Sequence, residues 1–266
     1  MTLTLLIGLL VGAIMGITGA GGGVLAVPAL VTLLGMSMQE AAPVALVAMV
    51  GAAGAGAIEG LQRHIVRYRA AILIALVSLP FTSLGVQAAH ALPQQILMRI
   101  FVLVMLISAV RSWQQAGQDT PADRASKFTS LGPIHGETGR FIWTPVSAAV
   151  LAMIGALTGF MAGLLGVGGG FIIVPMLRRF TQLSIHGAVA TALLIIALIS
   201  SGGVVSTVAH GARLPWSLTI VFASAAMSGM LISRRLARKL SAQQVLRAFA
   251  ALLLVVSLGL GIKSID

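Results

Sequence analysis

The chain has 266 residues, 58% of them hydrophobic and 9% charged, with a mean hydropathy of +1.04. A water-soluble domain of this length has too little interior to hide so much apolar side chain, so lipid must solvate part of it. The 17 Lys and Arg outweigh 6 acids, but they lie in short loops between apolar stretches, which argues for membrane orientation and against a nucleic-acid partner; with no Cys, thiolate chemistry, disulfides and thiolate metal sites are excluded.

The first apolar stretch, near 3 to 18, starts almost at Met1 without a basic leader and runs into glycine. It is expected to belong to the mature fold rather than to a cleaved signal. Further stretches follow near 24 to 34, 41 to 59, 70 to 90 and 96 to 112, and then a polar segment from Trp113 to Arg140. Beyond it lie stretches near 143 to 165, 171 to 177, 187 to 209, 214 to 233 and 243 to 262, which repeat the order of the first half. Their Leu, Ala, Val and Ile content with frequent Gly suits helices, not the alternating strands of a barrel. The expectation is an all-α polytopic membrane protein with a first membrane repeat over 1–112, a cytoplasmic linker over 113–142 and a second membrane repeat over 143–266.

Residue matches support a duplication. At a shift of 147, Gly12, Gly16, Gly21, Gly22, Gly23, Val27 and Pro28 fall on Gly159, Gly163, Gly168, Gly169, Gly170, Val174 and Pro175. At a shift of 148, Leu92, Gln95, Arg99 and Phe101 fall on Leu240, Gln243, Arg247 and Phe249.

Basic residues gather on the cytoplasmic side of a membrane protein, so their distribution tests whether the halves are parallel or inverted. Four crossings per half leave nine Lys and Arg on one side and eight on the other, which is no bias. If the first two stretches of each half instead form a hairpin that enters and leaves on one face, three crossings remain and the second half is inverted. One face then holds Arg63, Arg67, Arg69, Arg111, Arg124, Lys127, Arg140, Arg178, Arg179, Arg234, Arg235, Arg238, Lys239 and Arg247, while Arg99, Arg213 and Lys263 lie on the other. The inverted arrangement is therefore expected, in a cell inner membrane, with both termini outside and the linker cytoplasmic; five crossings per half would share this parity.

The two breaks read Gly16-Ile17-Thr18-Gly19-Ala20-Gly21-Gly22-Gly23 and Gly163-Leu164-Leu165-Gly166-Val167-Gly168-Gly169-Gly170, each followed five residues on by Pro28 or Pro175. Three consecutive glycines cost helix propensity of about 1 kcal/mol each, and Pro is tolerated in a first helical turn. A helix should stop before each triplet and a new one start after it. Irregular backbone at membrane depth survives only inside protein or along a watery cavity. The new helix start offers free N–H groups and a positive dipole end to an anion, and the missing Cβ atoms let an oxyanion approach. Paired Gly/Pro interruptions in matching positions of two inverted halves point to a transporter's binding site near the membrane midplane.

The doubled Gly-x-Gly-Gly-Gly-(x)4-Pro pattern, carried by Gly19, Gly21, Gly22, Gly23 and Pro28 and again by Gly166, Gly168, Gly169, Gly170 and Pro175, resembles the sulfite exporter TauE/SafE family over nearly the whole chain. The resemblance implies transport of sulfur oxyanions or organosulfonates such as sulfite or sulfoacetate, with some members tied to other small organic anions. One departure from the family's pattern concerns the second-to-third crossing loop, where the His-Gly pair His210-Gly211 has Arg63-His64 as its counterpart.

Other candidates are weighed against plainer roles. Glu59 reads as the only carboxylate close to a long apolar stretch, suited to coupling or gating, although a solvated helix end or a local pair with Arg63 explains it more readily. Arg99 and Arg247 match across the repeat and begin the last crossing of each half; they either draw anions or snorkel to the interface. His90, His186 and His210 sit at loop ends, where they could titrate, but show no metal-ligand spacing. Thr18, beside the first break, and Ser200-Ser201 before Gly202-Gly203 are the hydroxyls most suited to contact a substrate. No enzyme constellation, ATP-binding signature, metal site or cofactor motif is evident.

The expected function is secondary transport, in the sense of export, of a small oxyanion held by backbone amides of Gly21 to Gly23 and Gly168 to Gly170. Its partners are the anionic substrate, the bilayer and, where it assembles, further copies of the chain. A non-transporting membrane assembly or sensor protein and a cation or proton-coupled transporter remain as alternatives.

Overall fold

In the computed structural model, residues 1–116, 145–180, 185–212, 214–237 and 242–263 are described, and all their regular elements are helical. The linker from residue 117 to 144 lies outside them. The first half contributes α1 (Thr2–Thr18), a 3-10 segment (Gly19–Leu25), α2 (Ala26–Leu33), α3 (Met38–Gln62), α4 (Tyr68–Ala91) and α5 (Gln94–Ala116). The second contributes α6 (Pro145–Leu165), α7 (Gly170–Phe180), α8 (Ile185–Ala209), α9 (Trp216–Ala237) and α10 (Ala242–Lys263). Among the described residues, seven helices, α3, α4, α5, α6, α8, α9 and α10, are long and apolar enough to cross a bilayer. A 20-residue helix spans about 30 Å, the thickness of the hydrocarbon core.

The all-α membrane architecture is as expected from the sequence. The repeats differ at their first helix: α6, with 21 residues, is long enough to cross, while its counterpart α1 has 17. Both nevertheless end in a fold-back. Gly22 packs against the backbone of Met15, and Gly169 against Thr158, so after each break the chain returns beside the helix it has just left.

The halves interlock reciprocally. α1 packs on α9 and its counterpart α6 packs on α4; α3 packs on α8, and α5 on α10. Small residues make the first two contacts possible. Gly8, Gly12 and Gly16 lie against the carbonyls of Phe222, Ala226 and Met230, and Gly155, Gly159 and Gly163 lie against those of Ile74, Ser78 and Thr82. Every member of one set maps onto the other at shifts of 147 and 148. These spaced glycines therefore serve close helix approach, with backbone carbonyls where side chains would otherwise stand.

Helix direction follows from the same contacts. Gly203 meets Leu46 and Gly60 meets Ala190, so the equivalent helices α3 and α8 run antiparallel; α1 and α9 run parallel, as do α6 and α4. These directions are compatible with inverted repeats.

Loop chemistry repeats as well. After α3, Arg63, His64 and Ile65 donate to the carbonyls of Glu59, Leu61 and Gly60; after α8, His210, Gly211 and Ala212 donate to those of Ser206, Val208 and Thr207. Each bond maps onto its partner at a shift of 147. The pivot is left-handed in both, with φ of 54° at His64 and 83° at Gly211, as a Schellman-type helix end requires.

At the start of α3, Ser37 Oγ accepts from the Glu40 amide at 3.3 Å while Glu40 Oε2 accepts from the Ser37 amide at 3.0 Å, a capping box. This corrects the reading of Glu59 as the lone carboxylate of that stretch. Helix α3 begins at Met38 and so carries Glu40 too.

Candidate functional site

The two breaks meet in the middle of the bundle at Met49, near the centre of α3. A Cβ on Gly23 would lie 2.6 Å from Met49 Cε, and one on Gly168 would lie 2.7 Å from its Sδ. Nothing polar marks Met49 in its Ala- and Val-rich helix, and the sequence reading passed over it. Its flexible thioether fills the irregular gap between two stretches of nearly bare backbone.

The breaks differ in conformation. At the first, a single left-handed residue, Gly19 (φ 78°), turns the chain against Val189, and the following residues form a 3-10 helix from Gly19 to Leu25. Its i to i−3 bonds occupy amides that the sequence reading left free at Gly21 to Gly23. The first break supplies a packed wall, with Gly22 on Met15 and Gly23 on Met49. Only the backbone of Gly21 is described. α2 then starts at Ala26, which places Pro28 in its first turn, where a missing N–H costs nothing.

The second break is open. Gly166, Gly168 and Gly169 all have positive φ, from 66° to 71°, with Gly166 packed on Ala42. Such a run is accessible to glycine alone at ordinary cost. Among the described residues, the amides of Val167, Gly168 and Gly169 donate no backbone hydrogen bond, although all three residues are buried. Buried amides without partners are rare, and they point toward whatever satisfies them. Helix α7 begins at Gly170, one residue earlier than the triplet predicts, and the Ile172 and Ile173 amides share the Gly169 carbonyl at 3.0 and 3.1 Å. Pro175 consequently sits in the second turn of α7, where it leaves the Phe171 carbonyl without its helical donor.

Against this open turn stands Ser200 of α8. It is fully buried, its Oγ has no hydrogen-bond partner among the described residues, and a Cβ on Gly168 would lie 3.1 Å from that oxygen. Its neighbour Ser201 is exposed and donates to the Ala197 carbonyl at 2.7 Å, so the pair divides into one hydroxyl at the break and one spent on its own helix. Thr18 likewise donates to the Ile14 carbonyl at 2.7 Å, as Thr158 does to that of Ile154 at 2.6 Å. Ser206 also has a buried oxygen without a partner, but it lies in the last turns of α8, away from the break.

Remaining candidates lie elsewhere. Glu59 bridges Arg63 at 2.8 Å and Arg234 of α9 at 3.2 Å, and Arg234 also donates to the Gly56 carbonyl at 3.0 Å. The acid thus ties α3 to α9 across the repeats. Arg99 and Arg247 are exposed near the starts of α5 and α10. His90 and His210 are exposed, the latter with Nδ1 2.7 Å from the Ser206 carbonyl; the His186 side chain lies outside the described residues. A second tie between the halves joins the Arg67 amide to Thr191 Oγ1 at 3.0 Å. Among the described residues, no group of three His, Asp or Glu gathers as metal ligands do.

Among the described residues, seven membrane-length helices in two interlocked halves, closing on a pair of glycine breaks deep in the bundle, define a multi-pass membrane protein. The family model for sulfite exporter TauE/SafE matches residues 4–260, and the chain belongs to that family. It is 28% identical to a probable membrane transporter protein of Xylella fastidiosa over 94% of this chain and 90% of that one. A probable membrane transporter protein of Methanocaldococcus jannaschii is 26% identical over 77% of this chain and 71% of its own. One from Bacillus subtilis is 22% identical over 94% and 93%. No solved structure matches the chain.

Proposed function

We propose that the protein is a secondary transporter that exports a small oxyanion, such as sulfite or an organosulfonate, and holds it at the second glycine break. The carrying observation is the buried Ser200 Oγ, without a partner, beside the free amides of Val167, Gly168 and Gly169. A hydroxyl and three N–H groups form a neutral donor set at the positive end of α7. Such a set suits an anion that must also leave, since an Arg buried at the site would bind too tightly for release. The family's name, sulfite exporter, agrees with this donor chemistry.

In this reading the membrane is the cell inner membrane, with termini outside and the linker cytoplasmic, on the strength of the basic-residue distribution. Expelling one negative charge then gains about 2.3 kcal/mol per 100 mV of membrane potential. The halves rock about the Met49 contact, and the first break forms the opposing wall.

The test is thermal stability of the detergent-purified protein against sulfite, sulfate, thiosulfate, sulfoacetate, small carboxylates and monovalent cations. An anion at 100 times its Kd adds about 2.7 kcal/mol. One oxyanion class is expected to stabilise the protein, with Ser200→Ala weakening its affinity roughly tenfold and Ser201→Ala leaving it unchanged. Stabilisation by cations alone, or an oxyanion effect indifferent to Ser200, would overturn the reading.

A further inference from the structure

The start of α7 also borders a cavity of about 250 Å3 between α5, α7 and α10. Its polar lining gathers at the linker end of the bundle: Arg111 and Ser112 in the last turns of α5, Ser108 one turn earlier, and Thr18 at the end of α1. Ser108 and Thr18 give their protons to the carbonyls of Val104 and Ile14, each at 2.7 Å, so toward a ligand they only accept. Arg111 is the cation among the lining residues.

The duplication allows the same space to be inspected in the other half. At the α5/α10 shift of 148, Arg111, Ser108 and Ser112 correspond to Gly259, Val256 and Leu260; at the break shift of 147, Thr18 corresponds to Leu165. Each polar lining position is apolar there. The break residues Phe171, Ile172 and Val174 are half-buried beside the cavity, whereas their counterparts Val24, Leu25 and Val27 are buried. The space is therefore open and polar at the linker end, and packed and apolar at the end that the repeat relates to it.

We propose that Arg111 is an anion-collecting residue at the mouth of a one-sided vestibule, drawing the anion toward the second break from the linker face, with no equivalent on the opposite face. This rests on the reading of that break as the anion site. A cation at the mouth of a low-dielectric cleft concentrates counter-ions and raises their capture rate. It changes how readily one face is loaded and leaves the equilibrium gradient to the driving force.

The chain has no Cys, so a single introduced thiol reports cleanly. Ser112→Cys protein in detergent would be treated with an anionic sulfonatoethyl methanethiosulfonate and its cationic trimethylammonium analogue. The anionic reagent is expected to react faster. Adding Arg111→Gln is expected to lower the anionic-to-cationic rate ratio roughly tenfold, and Arg111→Lys to preserve it. Leu260→Cys is expected to react with neither. A ratio indifferent to Arg111→Gln, or equal reactivity at Leu260→Cys, would overturn the proposal. These rates need no substrate, so they stand or fall apart from the Ser200→Ala binding result.

Discussion

Gly168 and Ser200 meet where α7 begins, with the Ser200 oxygen 3.1 Å from the point a Gly168 Cβ would occupy. The same Cβ would stand 2.7 Å from Met49 Sδ, on backbone held at φ 66°. Gly168→Ala should therefore lose anion-dependent stabilisation and also cost about 1–3 kcal/mol of fold stability. Combining it with Met49→Ala should recover part of the stability by making room, but not the binding. Melting curves with and without the stabilising anion separate the two effects, and recovery of both would assign the break to packing alone.

The spaced glycines predict a matched pair of failures. Gly12→Leu and Gly159→Leu should each prevent folded protein from being recovered, because the added side chain falls on the backbones of Ala226 and Ser78. Gly54→Ala, with nothing within 4 Å of its Cβ, should raise stability by about 0.5–1 kcal/mol through helix propensity. Size-exclusion profiles and melting temperatures in detergent check both.

His64 holds the left-handed helix end that Gly211 holds in the second half. His64→Gly is expected to stabilise the protein by about 1 kcal/mol, since the penalty for a side chain at positive φ disappears. Gly211→Val should destabilise it by a similar or larger amount. Equal melting temperatures for wild type and His64→Gly would show that the strain is absorbed elsewhere.

Glu59 is shared between Arg63 and Arg234 and is partly exposed. Glu59→Gln should lower stability by no more than about 1 kcal/mol, in line with solvent-screened pairs. Anion flux in proteoliposomes should keep the same dependence on pH as in the wild type. A lost pH dependence would return Glu59 to the coupling role that its position in an apolar stretch first suggested.

Topology has its own check. A compartment-sensitive reporter placed in the 113–142 linker should report the cytoplasm, and one after Asp266 the opposite side. Both on one side would remove the inverted arrangement.

Much of this protein was legible in its residues. Apolar runs of membrane length, the polar linker and the two glycine triplets follow from transfer energies and helix propensity, which act locally and leave a local record. The Ser37-x-x-Glu40 cap is local as well, and it sets the start of α3 at Met38, three residues before the apolar run begins. Only the tertiary structure decided which break is open. Both triplets carry the same glycines, yet one closes into a 3-10 helix, while among the described residues the amides of Val167, Gly168 and Gly169 donate no backbone hydrogen bond. It also decided that Ser200 faces the break while Ser201 faces away, and that Met49 joins the two. Such choices depend on contacts across the bundle, between Gly168 and Ser200 and between Gly168 and Met49, and composition and periodicity keep no trace of those.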